Sequence, residues 1–338
     1  MPQTAKSTVC GRRRRSATGT STLTSARTST TARTAKTTST TDPRVDRTAP
    51  GCRAGHIRFT LSAMSKLAVL IHGMWGTSDV WRNWRETLEA RGWHTVAPAL
   101  RHHEAPPLEP PAALGATPLG AYVDDLAARI AALPERPALI GHSMGGLIAL
   151  KLASMGLASA AVLLTPAPPA QVFAMRPSNV RAFLRIQLAW AWWRKPHRPR
   201  LNEALWHTFN TMDPREAARL YGPFVHESGR ALMDIGLPWL DRARSSFVDP
   251  VEVRVPLLFV AAERDRLTPP SVVERSHRLF AHIAEYRLYA GQGHWVLGQP
   301  GWRDIADDSL AWLDENTRPV SEQAQAEFRK WRSSISRD

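Results

Sequence analysis

Residues 141–145 read Gly-His-Ser-Met-Gly, and their setting gives this short pattern a chemical meaning. An apolar run at 137–140 precedes them and another at 147–150 follows, which predicts a strand, a sharp turn and a helix. Such a turn strains the backbone of Ser143 and holds its hydroxyl at the tip of a sheet, and a Cβ on either flanking glycine would collide with the neighbouring element. Ser143 is therefore the candidate nucleophile.

A serine hydroxyl is a weak nucleophile unless a neighbouring group takes its proton, so this hypothesis requires a base and an acid elsewhere in the chain. Asp265 follows an apolar run at 256–262, and His294 follows a strand-like segment at 285–289, so each lies just past a strand end. His294 is the candidate base, and Asp265 is the candidate acid that orients its imidazole. Glu263 is the alternative acid.

Acyl transfer also needs hydrogen-bond donors for the negative charge that develops on the carbonyl oxygen. The candidates are two backbone N–H groups. One belongs to Met144, directly after the nucleophile, and the other to Met74, in the glycine-containing loop 72–76 after an early apolar strand. Trp75 and Trp295 flank these motifs and are candidate lining residues of a substrate pocket, with ordinary packing as the alternative.

The motifs at 72–76, 141–146 and 293–294, together with Asp265 after a strand, resemble those of the α/β-hydrolase superfamily. The resemblance extends over roughly residues 64–316. It implies a triad in the chain order Ser, Asp, His. It says little about the substrate, because one fold hosts many reactions.

A further stretch, 96–102, is similar to the segment that follows the next strand in this superfamily. The similarity is incomplete. Ala99 stands where the family usually has an acidic residue, and His102 stands where it usually has glycine. This departure concerns a loop beside the expected site and leaves the triad intact.

Strand-like and helix-like segments alternate along the body of the chain, which predicts an α/β fold with a mostly parallel sheet covered by helices on both faces. This α/β-hydrolase core comprises residues 64–165 and 256–316. The interval 166–255 interrupts the alternation; it is mostly helical and resembles the family's cap or lid, which would lie over Ser143. Residues 317–338 are predicted to form a polar tail.

The cap interval is rich in Trp and Phe, which suits a pocket for an apolar acyl or alcohol group or forms the cap's own small core. Within it, residues 183–195 alternate apolar residues with arginines and end on a basic pair. Such a segment could contact a membrane surface, as interfacial helices do. A cap helix that buries one face is the favoured interpretation.

Residues 1–63 carry most of the positive charge: 12 Lys and Arg against 2 Asp, a net of +10 in a chain whose total is +14. This Ser-, Thr- and Arg-rich segment has too few apolar residues to form a core, so we expect it to be disordered. Because the remaining residues carry only the balance of the charge, the folded part gives no reason to expect nucleic acid binding.

Three interpretations of this basic segment stand: an organellar transit sequence, a basic arm for an acidic partner, or residues that precede a true start at Met64, which is favoured. No apolar secretory stretch is present, so a cytoplasmic location is expected. Cys10 and Cys52 both lie in this segment. The folded part is therefore expected to contain no disulfide framework and no cysteine-ligated metal.

No cofactor or metal is predicted. The glycines do not follow the P-loop or G-x-G-x-x-G spacing, so no nucleotide cofactor is implied. His102, His103 and Glu104 look like metal ligands, but three adjacent side chains cannot all converge on one ion. We interpret them as part of a solvated loop.

These features predict a serine hydrolase that cleaves a carboxylic ester or lactone, with an apolar small-molecule ester as its partner, through an acyl-enzyme on Ser143. The same triad also serves C–C bond hydrolases of vinylogous diketones and metal-free perhydrolases or haloperoxidases. A catalytically silent binding protein on the same fold is the non-enzymatic alternative. Epoxide and haloalkane hydrolysis is disfavoured, because the elbow residue of those enzymes is Asp.

Overall fold

A computed structural model describes residues 66–174 and 176–335. The predictions about residues 1–63, including Cys10 and Cys52, lie outside the described residues. The strands of the described chain are β1 (Lys66–Ile71), β2 (Trp93–Val96), β3 (Ala138–His142), β4 (Ala161–Leu164), β5 (Pro196–His197), β6 (Glu227–Ser228), β7 (Leu257–Ala262) and β8 (Ala284–Tyr289).

Helices connect and cover these strands. The α-helices are α1 (Arg82–Ala90), α2 (Leu119–Ala131), α3 (Met144–Ser154), α4 (Pro177–Gln187), α5 (Leu201–His207), α6 (Pro214–Tyr221), α7 (Gly229–Gly236), α8 (Pro270–Arg278), α9 (Trp302–Asn316) and α10 (Glu322–Ile335). Short 3-10 turns occupy Ser78–Trp81, Leu114–Ala116, Trp192–Arg194, Pro238–Leu240 and Pro250–Glu252.

The central sheet has the strand order β2-β1-β3-β4-β7-β8, and all neighbouring strands pair in parallel. The predicted fold class is confirmed. The register sets Gly141 of β3 opposite Ile71 of β1 and Leu163 of β4. The carboxyl ends of these strands therefore meet at one edge of the sheet, where an open α/β sheet places its binding site.

Both faces of the sheet are buried, as continuous apolar runs in parallel strands require. In β1, Leu67 and Val69 pack in the cluster that contains α2, α3, α8 and α10. Ala68 and Leu70 point the other way, into the cluster that contains α1 and α9. Because successive side chains of a strand alternate, each strand contributes to both halves of the core.

The prediction of a polar tail over 317–338 is wrong for most of its length, because α10 packs on the core. Ala324, Phe328 and Trp331 are buried and join the same cluster as α2. Their spacing of four and then three residues places them on one helical face. The polar residues between them obscured this pattern in the sequence.

The interval 166–255 contributes α4 to α7 and the short antiparallel pair of β5 and β6. Its buried apolar side chains belong to two different clusters. Phe209 and Phe224 join the core cluster that contains α1 and α9, whereas Ile186, Trp192 and Leu232 form a small cluster of their own. In residues 183–195 the helix ends at Gln187 and a turn follows. Within the described ranges, no helix is long and apolar enough to cross a membrane.

Candidate active site

The turn between β3 and α3 places Ser143 in a strained conformation, with φ 56° and ψ −120°. A non-glycine residue in this region costs about 1–3 kcal/mol, which the surrounding packing must offset. The neighbouring glycines make the turn sterically feasible. A Cβ on Gly141 would lie 2.1 Å from the carbonyl oxygen of Gly145, and a Cβ on Gly145 would lie 2.1 Å from that of Ile71. These contacts confirm the predicted need for both glycines.

Asp265 and His294 come together past the ends of β7 and β8. Nδ1 of His294 lies 2.7 Å from Oδ2 of Asp265, and both side chains are buried. The other oxygen of Asp265 accepts hydrogen bonds from the backbone N–H groups of Leu267, at 2.8 Å, and Thr268, at 2.9 Å. Glu263 is exposed and accepts instead from the N–H of Gly291. Of the two candidate acids, the structure therefore pairs Asp265 with the histidine.

Thr268 is a component of the site that the sequence reasoning missed. Its hydroxyl lies 2.8 Å from Oδ2 of Asp265 and 2.9 Å from the carbonyl oxygen of Thr165. The hydroxyl has a single proton, so it donates to one of these two oxygens at a time. It thereby links the carboxylate to the end of β4. The signal in the sequence is its spacing three residues after Asp265, which is common where a carboxylate organises its own turn.

His142, the residue before Ser143, fixes the backbone of His294. Burial, and next the nearby charge of His294, lower the pKa of His142 to about 3, so its ring is neutral at physiological pH. Its Nε2–H donates to the carbonyl oxygen of His294 at 3.0 Å, and the two ring centroids are 4.9 Å apart. Nε2 of His294 has no hydrogen-bond partner among the described residues. That nitrogen is free to exchange a proton.

The loop after β1 lies tightly against the nucleophile turn. A Cβ on Gly73 would lie 2.8 Å from Cβ of Ser143, so only glycine allows this approach. Met74 and Met144 line the same cavity as Ser143. In the described part of the chain, neither backbone N–H donates to another residue. Both candidate donors are therefore available to a bound oxygen.

A cavity of about 410 Å³ extends from Ser143 into the interval 166–255. This volume falls within the range of small-molecule sites. Its wall is mostly apolar and comes largely from that interval, including Val172, Phe173, Val180, Phe183, Trp192 and Leu237.

The two candidate pocket tryptophans differ. Trp75 lines the cavity. Trp295 does not: its ring centroid lies 5.2 Å from that of Phe209, 5.7 Å from that of Phe224 and 5.8 Å from that of His142. The pocket prediction for Trp295 is thus corrected, because aromatic residues of the interval 166–255 cover it.

Comparison with known proteins agrees with this geometry. The family model described as the alpha/beta hydrolase family matches residues 68–303. The chain belongs to the alpha/beta hydrolase family. No curated protein matches the sequence.

Among solved structures, the chain is similar to a monoacylglycerol lipase from Paleococcus ferrophilus, with 20% identity, a TM-score of 0.56, and coverage of 74% of this chain and 95% of that one. It is also similar to a methylesterase from Arabidopsis, with 13% identity, a TM-score of 0.55, and coverage of 74% and 99%. A third is methylketone synthase I from tomato, complexed with 2-tridecanone, with 17% identity, a TM-score of 0.57, and coverage of 75% and 99%. At these identities the likeness concerns the fold.

His207, at the end of α5, is a second residue that the sequence reasoning missed. Its ring centroid lies 5.8 Å from that of Trp75, and its Nδ1 lies 2.8 Å from the hydroxyl of Thr208. Burial, and next the charge of His294, lower its pKa to about 3. Its buried Nε2 has no partner among the described residues. No motif in the sequence marks it, because only the fold of this hydrolase brings it beside the histidine of the site.

The interpretation of residues 102–104 as a solvated loop is wrong for His103. This side chain is fully buried, and its Nε2 lies 3.1 Å from a carboxylate oxygen of Glu227 in β6. The other oxygen of Glu227 accepts from the hydroxyl of Tyr122 at 2.8 Å. His102 has φ 71°, so it adopts the left-handed conformation at the position where the family usually has glycine.

Proposed function

We propose that this alpha/beta hydrolase cleaves carboxylic esters or lactones through an acyl-enzyme on Ser143. The observation that carries the proposal is the buried His294–Asp265 pair, held by His142 beside the strained Ser143 turn. A nucleophile, an adjacent base and a group that orients the base are the parts that acyl transfer requires.

In the first half-reaction, Oγ of Ser143 attacks the ester carbonyl carbon while Nε2 of His294 takes the hydroxyl proton. The carbonyl oxygen becomes negatively charged, and the free N–H groups of Met74 and Met144 stabilise it. The tetrahedral intermediate then collapses. The C–O bond to the alcohol breaks, and the imidazolium gives its proton to the departing alkoxide, leaving an acyl-enzyme.

In the second half-reaction, His294 takes a proton from water, and the resulting hydroxide attacks the acyl carbon. Collapse releases the carboxylic acid and returns the proton to Oγ of Ser143. Asp265 stabilises the imidazolium in both halves without being protonated itself. Its hydrogen bonds from the backbone N–H groups of Leu267 and Thr268 hold its carboxylate in the orientation that faces His294.

The cavity favours an ester with an apolar acyl or alcohol group of short to medium length. Its wall is aliphatic and aromatic, so affinity comes mainly from apolar surface removed from water. The names of two similar structures, a monoacylglycerol lipase and a methylesterase, support an ester as substrate class.

The test is a series of nitrophenyl esters of increasing acyl length, with labelling by a fluorophosphonate probe. We expect turnover and labelling by the wild type, and a loss of kcat of roughly 10⁴- to 10⁶-fold with no labelling in Ser143→Ala. Ser154→Ala is the matched control, since this hydroxyl only donates to the backbone of its own helix.

Two results would overturn the proposal. One is ester hydrolysis that survives unchanged in Ser143→Ala. The other is a wild-type protein that ignores every ester yet cleaves a vinylogous diketone or brominates with peroxide and bromide, in which case the same residues serve another reaction. Absence of turnover and labelling together would favour a binding protein.

A further inference from the structure

The exposed aromatic side chains of the described residues lie in chain segments that also line the cavity at Ser143. In the described residues, the exposed Phe and Trp side chains all lie in two short segments, 173–193 and 239–240. They are Phe173, Trp190, Trp193 and Trp239. Single exposed apolar residues need no explanation, but a cluster of aromatic residues marks an interaction surface.

In the turn that follows α4, an apolar residue and one of these aromatic residues are strongly exposed. Leu188 is 76% exposed and Trp190 is 85% exposed, whereas Trp192, two residues further on, is buried and lines the cavity. Ala191 between the two tryptophans has φ 52°, a left-handed conformation that costs a non-glycine residue energy. The strained turn therefore keeps one tryptophan in the cavity wall and the other in solvent.

Two of the exposed aromatic residues belong to the cavity that begins at Ser143. Phe173 is 62% exposed and Trp239 is 65% exposed, yet both also line the cavity. They therefore stand at its opening. Leu188 and Trp193 are chain neighbours of Gln187 and Trp192, which also line the cavity. We call the exposed residues Phe173, Leu188, Trp190, Trp193 and Trp239 together the docking face.

The chain segment that carries most of the docking face is basic. Residues 136–202 contain no Asp or Glu, and segment 173–195 contains five Arg and Lys. One of these, Arg185, pairs with Glu203. Arg194 and Lys195 are exposed and form no ion pair with any described residue. Aromatic residues beside unpaired cations fit an interface between apolar chains and anionic headgroups.

We propose that the docking face binds a lipid surface that carries anionic headgroups, with Leu188 and Trp190 inserted among the acyl chains. Arg194 and Lys195 then contact the headgroups, and the cavity opening lies against the lipid. A second copy of the chain fits this face less well, because a symmetric pair would oppose the same basic residues.

The binding step does not depend on hydrolysis. Delivery of an apolar ester from the lipid into the cavity rests on the proposed function. The experiment therefore uses the full chain carrying Ser143→Ala, so that vesicles stay intact and binding can succeed or fail independently of catalysis.

The experiment measures partitioning onto sedimented vesicles of phosphatidylcholine alone and of equimolar phosphatidylcholine and phosphatidylserine. We expect Trp190→Ser to lower the partition coefficient about tenfold, and Leu188→Ser with Trp190→Ser about a hundredfold, on both vesicle types. Arg194→Gln and Lys195→Gln should each lower it about fivefold, on the anionic vesicles only.

The matched control is Leu108→Ser, which removes an exposed leucine that is not part of the docking face and should leave partitioning unchanged. Residues 1–63 add their own attraction to anionic vesicles, but equally in every variant, so ratios between variants report the docking face. Leu188 and Trp190 do not line the cavity, so hydrolysis of a dissolved short ester by the corresponding variants with Ser143 intact should be unchanged.

The proposal would be overturned if the protein with an intact docking face and the variant carrying both Leu188→Ser and Trp190→Ser partitioned equally onto the vesicles. A concentration-dependent dimer, seen by sedimentation velocity, that the double variant abolishes while vesicle binding stays unaffected would also overturn it. That second outcome would assign the docking face to a copy of this chain.

Discussion

The sheet and the interval 166–255 are built by different means. Every residue of β7 is buried, and its position is fixed by backbone pairing on both sides. The interval instead attaches α4 and α7 through a small apolar cluster and scattered polar contacts, such as the bond from the hydroxyl of Ser228 to the carbonyl of Thr117. It also leaves large aromatic side chains in solvent.

This difference separates two tasks. The proposed chemistry needs atoms placed to a fraction of an ångström, and strand ends and a strained turn supply that precision. Recognition of an apolar group needs surface, and the interval supplies it as cavity wall and docking face. Substitutions in the two regions should therefore have different signatures: loss of rate or stability in the sheet, and altered preference in the interval.

The largest effect is expected at the sheet's edge. Asp265→Asn should lower kcat for a nitrophenyl ester about 10⁴-fold at neutral pH, because an amide cannot hold the histidine in the tautomer that accepts the serine proton. Steady-state kinetics measure it. Glu263→Gln is the control, and it should stay within a few-fold of wild type. A reversed order of effects would reassign the acid.

The second largest effect is expected in α10, the helix that the sequence analysis did not predict. Phe328→Ala should lower the free energy of unfolding by about 3–5 kcal/mol, since a fully buried aromatic ring leaves a void against the core cluster. Urea unfolding followed by circular dichroism measures it. Arg329→Ala, on the exposed side of the same helix, should change it little. A small change in the free energy of unfolding for Phe328→Ala would mean that α10 contributes little to the stability of the fold.

The junction between the two regions comes third. Glu227→Gln should destabilise the protein by about 3 kcal/mol, because it breaks a buried charge-assisted contact to His103. Although burial lowers the pKa of His103, the charge and hydrogen bond of Glu227 outweigh it and raise that pKa above its ordinary value.

The sign of the pH dependence follows from this raised pKa. The contribution of His103 is fully present below its unfolded pKa of about 6.5, and it is lost as pH rises through the folded pKa. The stability gap between wild type and Glu227→Gln should therefore be larger at about pH 6 than at about pH 9. Glu252→Gln, exposed and 3.8 Å from Arg254, is the control. A gap that widens with pH would exclude an ion pair.

The smallest effect is expected in the cavity wall. Val180→Phe should lower kcat/KM for an octanoyl ester about tenfold while an acetyl ester is nearly unaffected, because extra volume in a packed wall costs about 1–3 kcal/mol. Val251→Phe, exposed and away from the cavity, should alter neither substrate. Equal loss on both esters would mean that the wall supports the catalytic residues rather than selecting the acyl group.

The sequence could predict the features that a pattern along the chain marks. The glycines around Ser143 indicate their turn because they stand in a fixed pattern between a strand and a helix, although the collision that requires Gly145 is with Ile71 of another strand. The choice between Asp265 and Glu263 was open, because they lie two residues apart at one strand end and only the fold decides which reaches the histidine. Trp295 and His207 depend on how the interval 166–255 folds back over the sheet, which no short pattern encodes.

Two polar groups of Trp75, one in its side chain and one in its backbone, form hydrogen bonds to the interval 166–255. Its indole N–H donates to the carbonyl of His197 at 3.1 Å, and its own carbonyl accepts from the N–H of Val225 at 2.9 Å. The neighbouring residue, Met74, carries a proposed donor for the oxyanion. Because these two hydrogen bonds join the loop 72–76 to the interval 166–255, a rigid movement of the interval away from the sheet would displace this loop as well. The proposed reaction therefore favours entry of substrate through the existing cavity opening, without movement of the interval.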